Sequence, residues 1–185
     1  HELALLRGLT PLTKLATARW AVADAAEMME ALGGVGYCED SGMPMLVRDV
    51  HVMPIWEGTT NVLSLDLLRA EHRNGAITAV LADAIEMAER TAGDPSVGEA
   101  AVRVKTTAEA LKERVTRTLA DPAVAQAHAR SIAMTLAATY ACAALCAQGA
   151  WAAGSGSSAT AGAARRLAER GLDAPPPPDL DLAFA

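Results

Sequence analysis

From Ser131 to Ala153 the chain carries no charged residue. A run of that length has two outlets: it crosses a membrane, or it forms a helix hidden at the centre of a bundle. Its content decides between them. Only Ile132, Leu136 and Leu145 are strongly favourable in lipid, each by about 0.3–0.6 kcal/mol at a membrane centre. Ser131, Thr135, Thr139, Gln148, Gly149 and the many alanines add too little. The run reads as a buried helix of a soluble bundle, with no membrane span.

The rest of the chain agrees with a helical solution. Of its 185 residues 51% are apolar, yet aromatics make up only 3% and alanine is the commonest residue. Alternating strand patterns are missing. Alanine is the best helix former and lets helix backbones approach closely, so the fold class is all-α, a helical bundle. The length suffices for one sizeable core. A net charge of −6 argues against a general nucleic-acid binder, which needs a basic stripe to release counterions.

Three cysteines, Cys38, Cys142 and Cys146, cannot make a disulfide framework, and their odd number fits a reducing, cytoplasmic setting. Cys142 and Cys146 share a helix face. With no further Cys or His nearby to complete a metal site, they read as buried packing residues. The chain opens on His1 inside a helix-like pattern with no signal peptide ahead of it, and so reads as a fragment of a longer protein.

Punctuation divides the chain. Thr10 can cap a first helix with Pro11 at its first position. Leu12, Leu15, Arg19, Val22, Ala26 and Met29 then form its stripe, and Gly33-Gly34 ends it. Tyr37 to Gly42 reads as loop, followed by a short helical turn from Pro44 to Asp49. A second long helix is predicted after a Thr59 or Thr60 cap, through Leu63, Leu67 and Leu68 into Glu71, with Asn74-Gly75 as its end or a break. Ala76–Thr91, Ser96–Ala120 and Ala123–Trp151 read as three more helices. A Gly/Ser-rich break at Gly154–Ser158 leads to a short basic helix around Arg165–Arg170, and Pro175–Pro178 stiffens an acidic tail. The expected units are 1–75, a helical extension at 76–172 and a Pro-rich acidic tail at 173–185.

Two segments carry candidate chemistry. Ile55-Trp56-Glu57-Gly58-Thr59-Thr60-Asn61 places a carboxylate where loop becomes helix. By itself a Glu there stabilises the helix dipole. Its neighbours suggest more. Trp56 offers an apolar wall that could desolvate it, Gly58 leaves room for a ligand, and Thr59, Thr60 and Asn61 sit beside free helix N-terminal donors. That combination suits removal of a proton next to a carbonyl. About twenty residues upstream, Leu32-Gly33-Gly34-Val35-Gly36-Tyr37 is a Gly-Gly-x-Gly run that follows a helix rather than a strand. It therefore does not read as a dinucleotide fingerprint. By itself it is a tight helix exit; together the two segments suggest the rim of a flavoenzyme site.

Glu30-Ala31-Leu32-Gly33-Gly34-Val35-Gly36-Tyr37, then Leu46-Val47-Arg48-Asp49, then Ile55-Trp56-Glu57-Gly58-Thr59 resembles, in order and spacing, the C-terminal helical domain of acyl-CoA dehydrogenases. The resemblance covers roughly 10–72. Cys38-Glu39-Asp40-Ser41-Gly42-Met43-Pro44, the Trp of Ile-Trp-Glu-Gly and the helical extension resemble the AidB-like branch. On this resemblance the chain supplies the second half of a four-helix domain plus an extension of three or four helices.

The resemblance implies α,β-dehydrogenation of an acyl-CoA thioester. Glu57 is the implied base for the α-proton, and FAD the implied hydride acceptor. The Glu57 backbone N–H is the implied donor to the thioester carbonyl. Glu30, Ala31, Leu32, Gly33 and Gly34 are implied contacts to an FAD held mainly by a neighbouring subunit. Thr59, Thr60 and Asn61 are further implied contacts to FAD, and Gly58 is implied to lie against the acyl-CoA. Arg48 and Asp49 are expected to form structural ion pairs rather than to touch substrate. Glu30 stands where many members carry Gln, so a donor amide becomes a carboxylate, and Asn61 is shorter than the usual Gln or Glu. A homo-oligomer and electron-transfer flavoprotein are the implied partners. The flavin pocket lies mostly in segments this chain lacks, so the isolated fragment is expected to be inactive.

The other reading is a homologue with little dehydrogenase activity whose extension binds DNA, lipid or a partner protein, or builds an oligomer. From Glu71 onward the chain carries 11 Lys/Arg and 13 Asp/Glu. That near balance disfavours a broad DNA-binding face and leaves a local patch around Arg165, Arg166 and Arg170.

Overall fold

A computed structural model describes residues 1–173. The chain is all-α: the described residues form eight α-helices and one short 3-10 turn, with no strand. The helices are α1 (Glu2–Ala31), α2 (Gly34–Tyr37), α3 (Met43–Val52), α4 (Thr60–Asn74), α5 (Ala76–Thr91), α6 (Gly98–Thr118), α7 (Pro122–Ala153) and α8 (Ala159–Arg170). The Pro175–Pro178 stretch lies outside the described residues.

α7 is the hub. It packs on α1, α4, α5, α6 and α8. Among the described residues it is the one helix long and apolar enough to cross a membrane. Yet Ile132, Ala133, Leu136, Thr139, Cys142, Ala143 and Cys146 have no exposed surface, because neighbouring helices cover them. Its start follows from sequence: the Asp121 carboxylate accepts from the Ala123 and Val124 N–H groups, and Pro122 occupies the first turn. The two buried cysteines are packing residues, as expected. The hydrogen bond with Cys146, then burial, pushes the Cys142 thiol up, and no cluster of metal ligands forms among the described residues.

Two cores result. One joins Leu12, Leu15 and Ala16 of α1 and Leu67 and Leu68 of α4 to Ile77, Val80 and Leu81 of α5 and to Ile132 and Leu136 of α7. The other lies wholly in the extension, with Val97, Val104, Cys142, Cys146, Ala161 and Ala164. The joint between α4 and α5 is a single residue. Gly75 adopts the left-handed conformation (φ 68°, ψ 38°) that ends α4 and starts α5. Glu71 locks that corner, accepting from the Thr78 N–H at 3.0 Å and the Thr78 hydroxyl at 2.6 Å.

The start of α1 differs from expectation. The helix begins at Glu2 and runs through Pro11, and Thr10 is no cap: its hydroxyl donates back to the Leu6 carbonyl at 2.8 Å. A Thr-Pro pair at a true start and one inside a longer helix look alike locally. Tertiary packing decides, because Gly8, Pro11, Leu12 and Leu15 are all buried. Gly8 permits that packing, since a Cβ there would come within 2.7 Å of Val80 Cγ2 and 2.8 Å of the Ala76 carbonyl oxygen. The buried stripe continues through Ala16, Ala18 and Ala25, and Ala26 points to solvent.

Candidate functional site

α1 and α3 position the Glu57 segment. After α3 ends at Val52, the chain makes a tight turn in which the Val52 carbonyl accepts from both the Ile55 and Trp56 N–H groups. Glu57 follows with φ 53°, and among the described residues it is the only non-glycine at positive φ. That conformation costs an ordinary L-residue about 1–2 kcal/mol, so something must impose it. Gly58 continues at φ 106°, and α4 then starts with Thr59 as its N-cap.

One side chain grips this turn from α1. Lys14 Nζ donates to the Trp56 carbonyl and to the Gly58 carbonyl, both at 2.7 Å, on either side of Glu57. Nothing in the local sequence marks Lys14. It is a lone half-buried lysine, and its target is more than forty residues away, so the motif reading missed it.

The Glu57 carboxylate is exposed and borders an open groove of about 350 Å³ with Lys14, Thr17, Ala21, Val50, Met53 and Trp56. The apolar wall expected of Trp56 borders the same groove, and it is itself 54% exposed. Gly58 differs from expectation. The space its missing Cβ leaves is taken by Leu63, whose Cδ2 would lie 2.9 Å from that atom, so packing and φ both require the glycine.

At the start of α4 no side chain caps the helix, and its first backbone bond runs from the Leu63 N–H to the Thr59 carbonyl at 2.9 Å. The Thr60, Asn61 and Val62 N–H groups precede that bond and face outward as an end of positive potential. Thr60 is buried, and Thr59 and Asn61 are exposed.

The Gly-Gly-x-Gly run forms the exit of α1. Leu32 is the last helical-type residue, Gly33 turns at φ 60° and ψ −148°, and Gly34 to Tyr37 make a single turn of helix. Its glycines divide the work. Gly36 packs against the Met29 carbonyl, where a Cβ would collide, whereas Gly33 and Gly34 open onto free space. Glu30, Ala31, Leu32, Gly33 and Gly34 are all exposed. Arg48 is an ion-pair residue, as expected. Its guanidinium meets both Glu39 carboxylate oxygens at 2.9 and 3.0 Å and holds that carboxyl below its usual range. Asp49 has no ion-pair partner among the described residues.

The two candidate segments do not form one compact site. Lys14 marks the level of the Glu57 turn on α1, and the glycine exit lies at that helix's far end, about 25 Å of helix away. Within one chain they serve separate surfaces.

The comparisons with known proteins fit this geometry. Residues 2–72 match the family model of the acyl-CoA dehydrogenase C-terminal domain. Acyl-CoA dehydrogenase family member 11 of Caenorhabditis elegans is 56% identical over 68 residues, 37% of this chain and 11% of that protein. The putative acyl-CoA dehydrogenase AidB of Escherichia coli is 40% identical over 78 residues, 42% of this chain and 14% of its own length. Among solved structures, Caenorhabditis elegans ACDH-11 in complex with C11-CoA superposes with a TM-score of 0.84 at 31% identity. That match covers 94% of this chain and 30% of the other. The chain thus spans only about a tenth to a seventh of these curated relatives. The structural likeness runs past residue 72 into the extension.

Proposed function

We propose that this chain, whose residues 2–72 match the family model of the acyl-CoA dehydrogenase C-terminal domain, supplies the catalytic base of an FAD-dependent acyl-CoA dehydrogenase. The observation that carries the reading is Glu57 itself, a carboxylate held at φ 53° ahead of an uncapped helix start. Strain kept in one residue beside free N–H donors suits a group that must be aimed rather than packed.

The residues fit a flavin cofactor. The exposed Thr59 and Asn61 side chains offer donors at the start of α4, where Thr60 is buried, and Gly33 and Gly34 present open backbone at the exit of α1. When bound, FAD would supply the hydride acceptor. Glu57 would take the α-proton onto its carboxylate while its N–H holds the thioester carbonyl, so that charge developing on that oxygen is stabilised. The distance between the two segments suits contacts to two different flavins, with Glu30–Gly34 serving that of a neighbouring subunit in a homo-oligomer. The structure solved with C11-CoA makes C11-CoA the first substrate to try. Electron-transfer flavoprotein is the proposed acceptor, and the three free thiols suit a cytoplasmic enzyme.

The test is the full-length protein with Glu57→Gln, mixed with candidate acyl-CoAs while flavin absorbance is followed. Bleaching should slow by at least 10²-fold, the lower range for removing a general base. Bleaching at the wild-type rate would show that Glu57 is not the base.

The AidB-like alternative keeps one observation in its favour, an extension with a core of its own. For its DNA version the patch is thin. Arg165 is engaged with the Ser96 carbonyl at 2.8 Å, which leaves Arg166 and Arg170 exposed beside Glu169. Salt-dependent DNA binding by the full-length protein, lost in Arg166→Glu/Arg170→Glu, would support it.

A further inference from the structure

We propose that Lys14 is a positioning residue for the reaction: its ammonium holds the Glu57 turn in the conformation that aims the Glu57 N–H outward from α1, beside the carboxylate it must work with. This rests on Glu57 being the base and deepens that reading.

The argument is geometric. Nζ sits 2.7 Å from the carbonyl oxygens of Trp56 and Gly58, so both carbonyls point inward at one charge. No peptide bond in the described chain is cis. In a trans peptide the C=O and the following N–H point in opposite directions. Turning the Trp56 carbonyl toward Lys14 therefore turns the Glu57 N–H away from it, and the Gly58 carbonyl does the same to the Thr59 N–H. Neither of those N–H groups has a hydrogen-bond partner among the described residues. The backbone brings those two carbonyls to one ammonium with φ 53° at Glu57 and 106° at Gly58, so the bonds to Lys14 lie on either side of the one strained non-glycine residue among those described. An ammonium suits this task because its three rotatable donors can serve two carbonyls at once, and charge-assisted bonds are stronger than neutral ones. The clamp also comes from α1, the longest rigid element next to the turn, so the aim is set by the bundle rather than by the loop.

A residue that merely tied α1 to the loop would lower stability and leave the chemistry alone. Arg7 gives the comparison, since it ties α1 to α4 through Asp66 at 3.2 Å without touching the turn. The experiment uses the full-length flavoprotein with Lys14→Met, Lys14→Arg, Arg7→Met and Glu57→Gln. It measures flavin bleaching by an acyl-CoA, binding of a non-reducible acyl-CoA analogue, and the crystal structure of Lys14→Met. Expected for Lys14→Met are at least a tenfold slower bleaching rate, analogue affinity within threefold of wild type, and a Glu57 φ that leaves the positive region. Lys14→Arg, which retains donors for both carbonyls, should recover most of the rate, and Arg7→Met should bleach like wild type. A Lys14→Met enzyme that bleaches within twofold of wild type, or keeps the turn in its crystal structure, overturns the proposal. If Lys14→Met does not fold, a Lys14→Arg enzyme with a wild-type turn and a tenfold slower rate overturns it too. Glu57→Gln reports separately: wild-type bleaching there removes the base and with it any catalytic role for Lys14.

Discussion

The two halves of this molecule treat apolar surface in opposite ways. Of the sixteen exposed large apolar side chains among the described residues, thirteen lie between Leu3 and Val62, and only Val102, Val124 and Trp151 belong to the extension. Burial shows the reverse, with eight of the buried apolar residues before Ala76 and twenty-nine from Ala76 onward. The extension has thus folded its apolar faces onto one another, whereas α1, α2, α3 and the turn that follows α3 leave Met28, Val35, Met45, Leu46, Met53 and Trp56 exposed. Both candidate segments lie on the open half. Buried apolar surface is concentrated in one region and exposed apolar surface in the other.

The sharpest way to break that contrast is to truncate one side chain on each side of it. Leu136 has no exposed surface and sits where both halves meet. Leu136→Ala should lose about 2–5 kcal/mol in denaturant unfolding through the transfer and cavity terms together. Leu46, 50% exposed, should change stability by less than about 0.5 kcal/mol on the same substitution. Equal losses would mean that the open face is packed in solution. Next in size is the contact between the halves. Gly8→Val places a branched side chain where a Cβ alone would lie 2.7 Å from Val80 Cγ2 and 2.8 Å from a backbone oxygen. The expected cost is about 1–3 kcal/mol, with α1 forced away from α5.

Glu71→Ala probes the one-residue joint. Losing the carboxylate leaves the Thr78 N–H near the start of α5 without its acceptor, at a cost of about 0.5–2 kcal/mol, the range for a lost helix cap. Hydrogen exchange would localise the effect to the first turn of α5. An unchanged unfolding midpoint would mean that Gly75 alone sets the corner.

The sequence was most legible where signals are local. Asn74-Gly75 as an end or break, Ala76–Thr91 and Ala123–Trp151 as helices and the Gly154–Ser158 break all follow from capping and breaker chemistry acting within a few residues. The uncharged run announced the central helix because a buried helix cannot carry unpaired charge. Local signals failed at Thr10-Pro11, where packing of Gly8 and Leu12 carried a helix through a proline. They failed again at Gly58, whose missing Cβ is filled by Leu63. At the candidate site the motif marked Glu57, but neither its positive φ nor its clamp. The grip of Lys14 on two carbonyls more than forty residues away is a product of topology, and no spacing rule encodes it.

The smallest effect expected comes from Tyr140, and it reports on how closed the extension is. Its hydroxyl donates to Asp83 Oδ2 at 2.8 Å, and burial, then that bond and the Asp83 charge, push its pKa up to about 12. An unfolded tyrosine titrates near 10. Because the folded pKa is the higher one, the native state favours the protonated hydroxyl. This contribution to stability is complete below about pH 10 and is lost as pH rises toward 12. Removing the hydroxyl in Tyr140→Phe should cost about 0.5–1.5 kcal/mol at neutral pH and flatten the alkaline decline between those values. Ultraviolet titration of a Tyr37→Phe protein isolates the Tyr140 signal, since the chain has only two tyrosines. A midpoint near 10 there would show that water reaches the pair, and that the seam between α5 and α7 is as open as the face around Glu57.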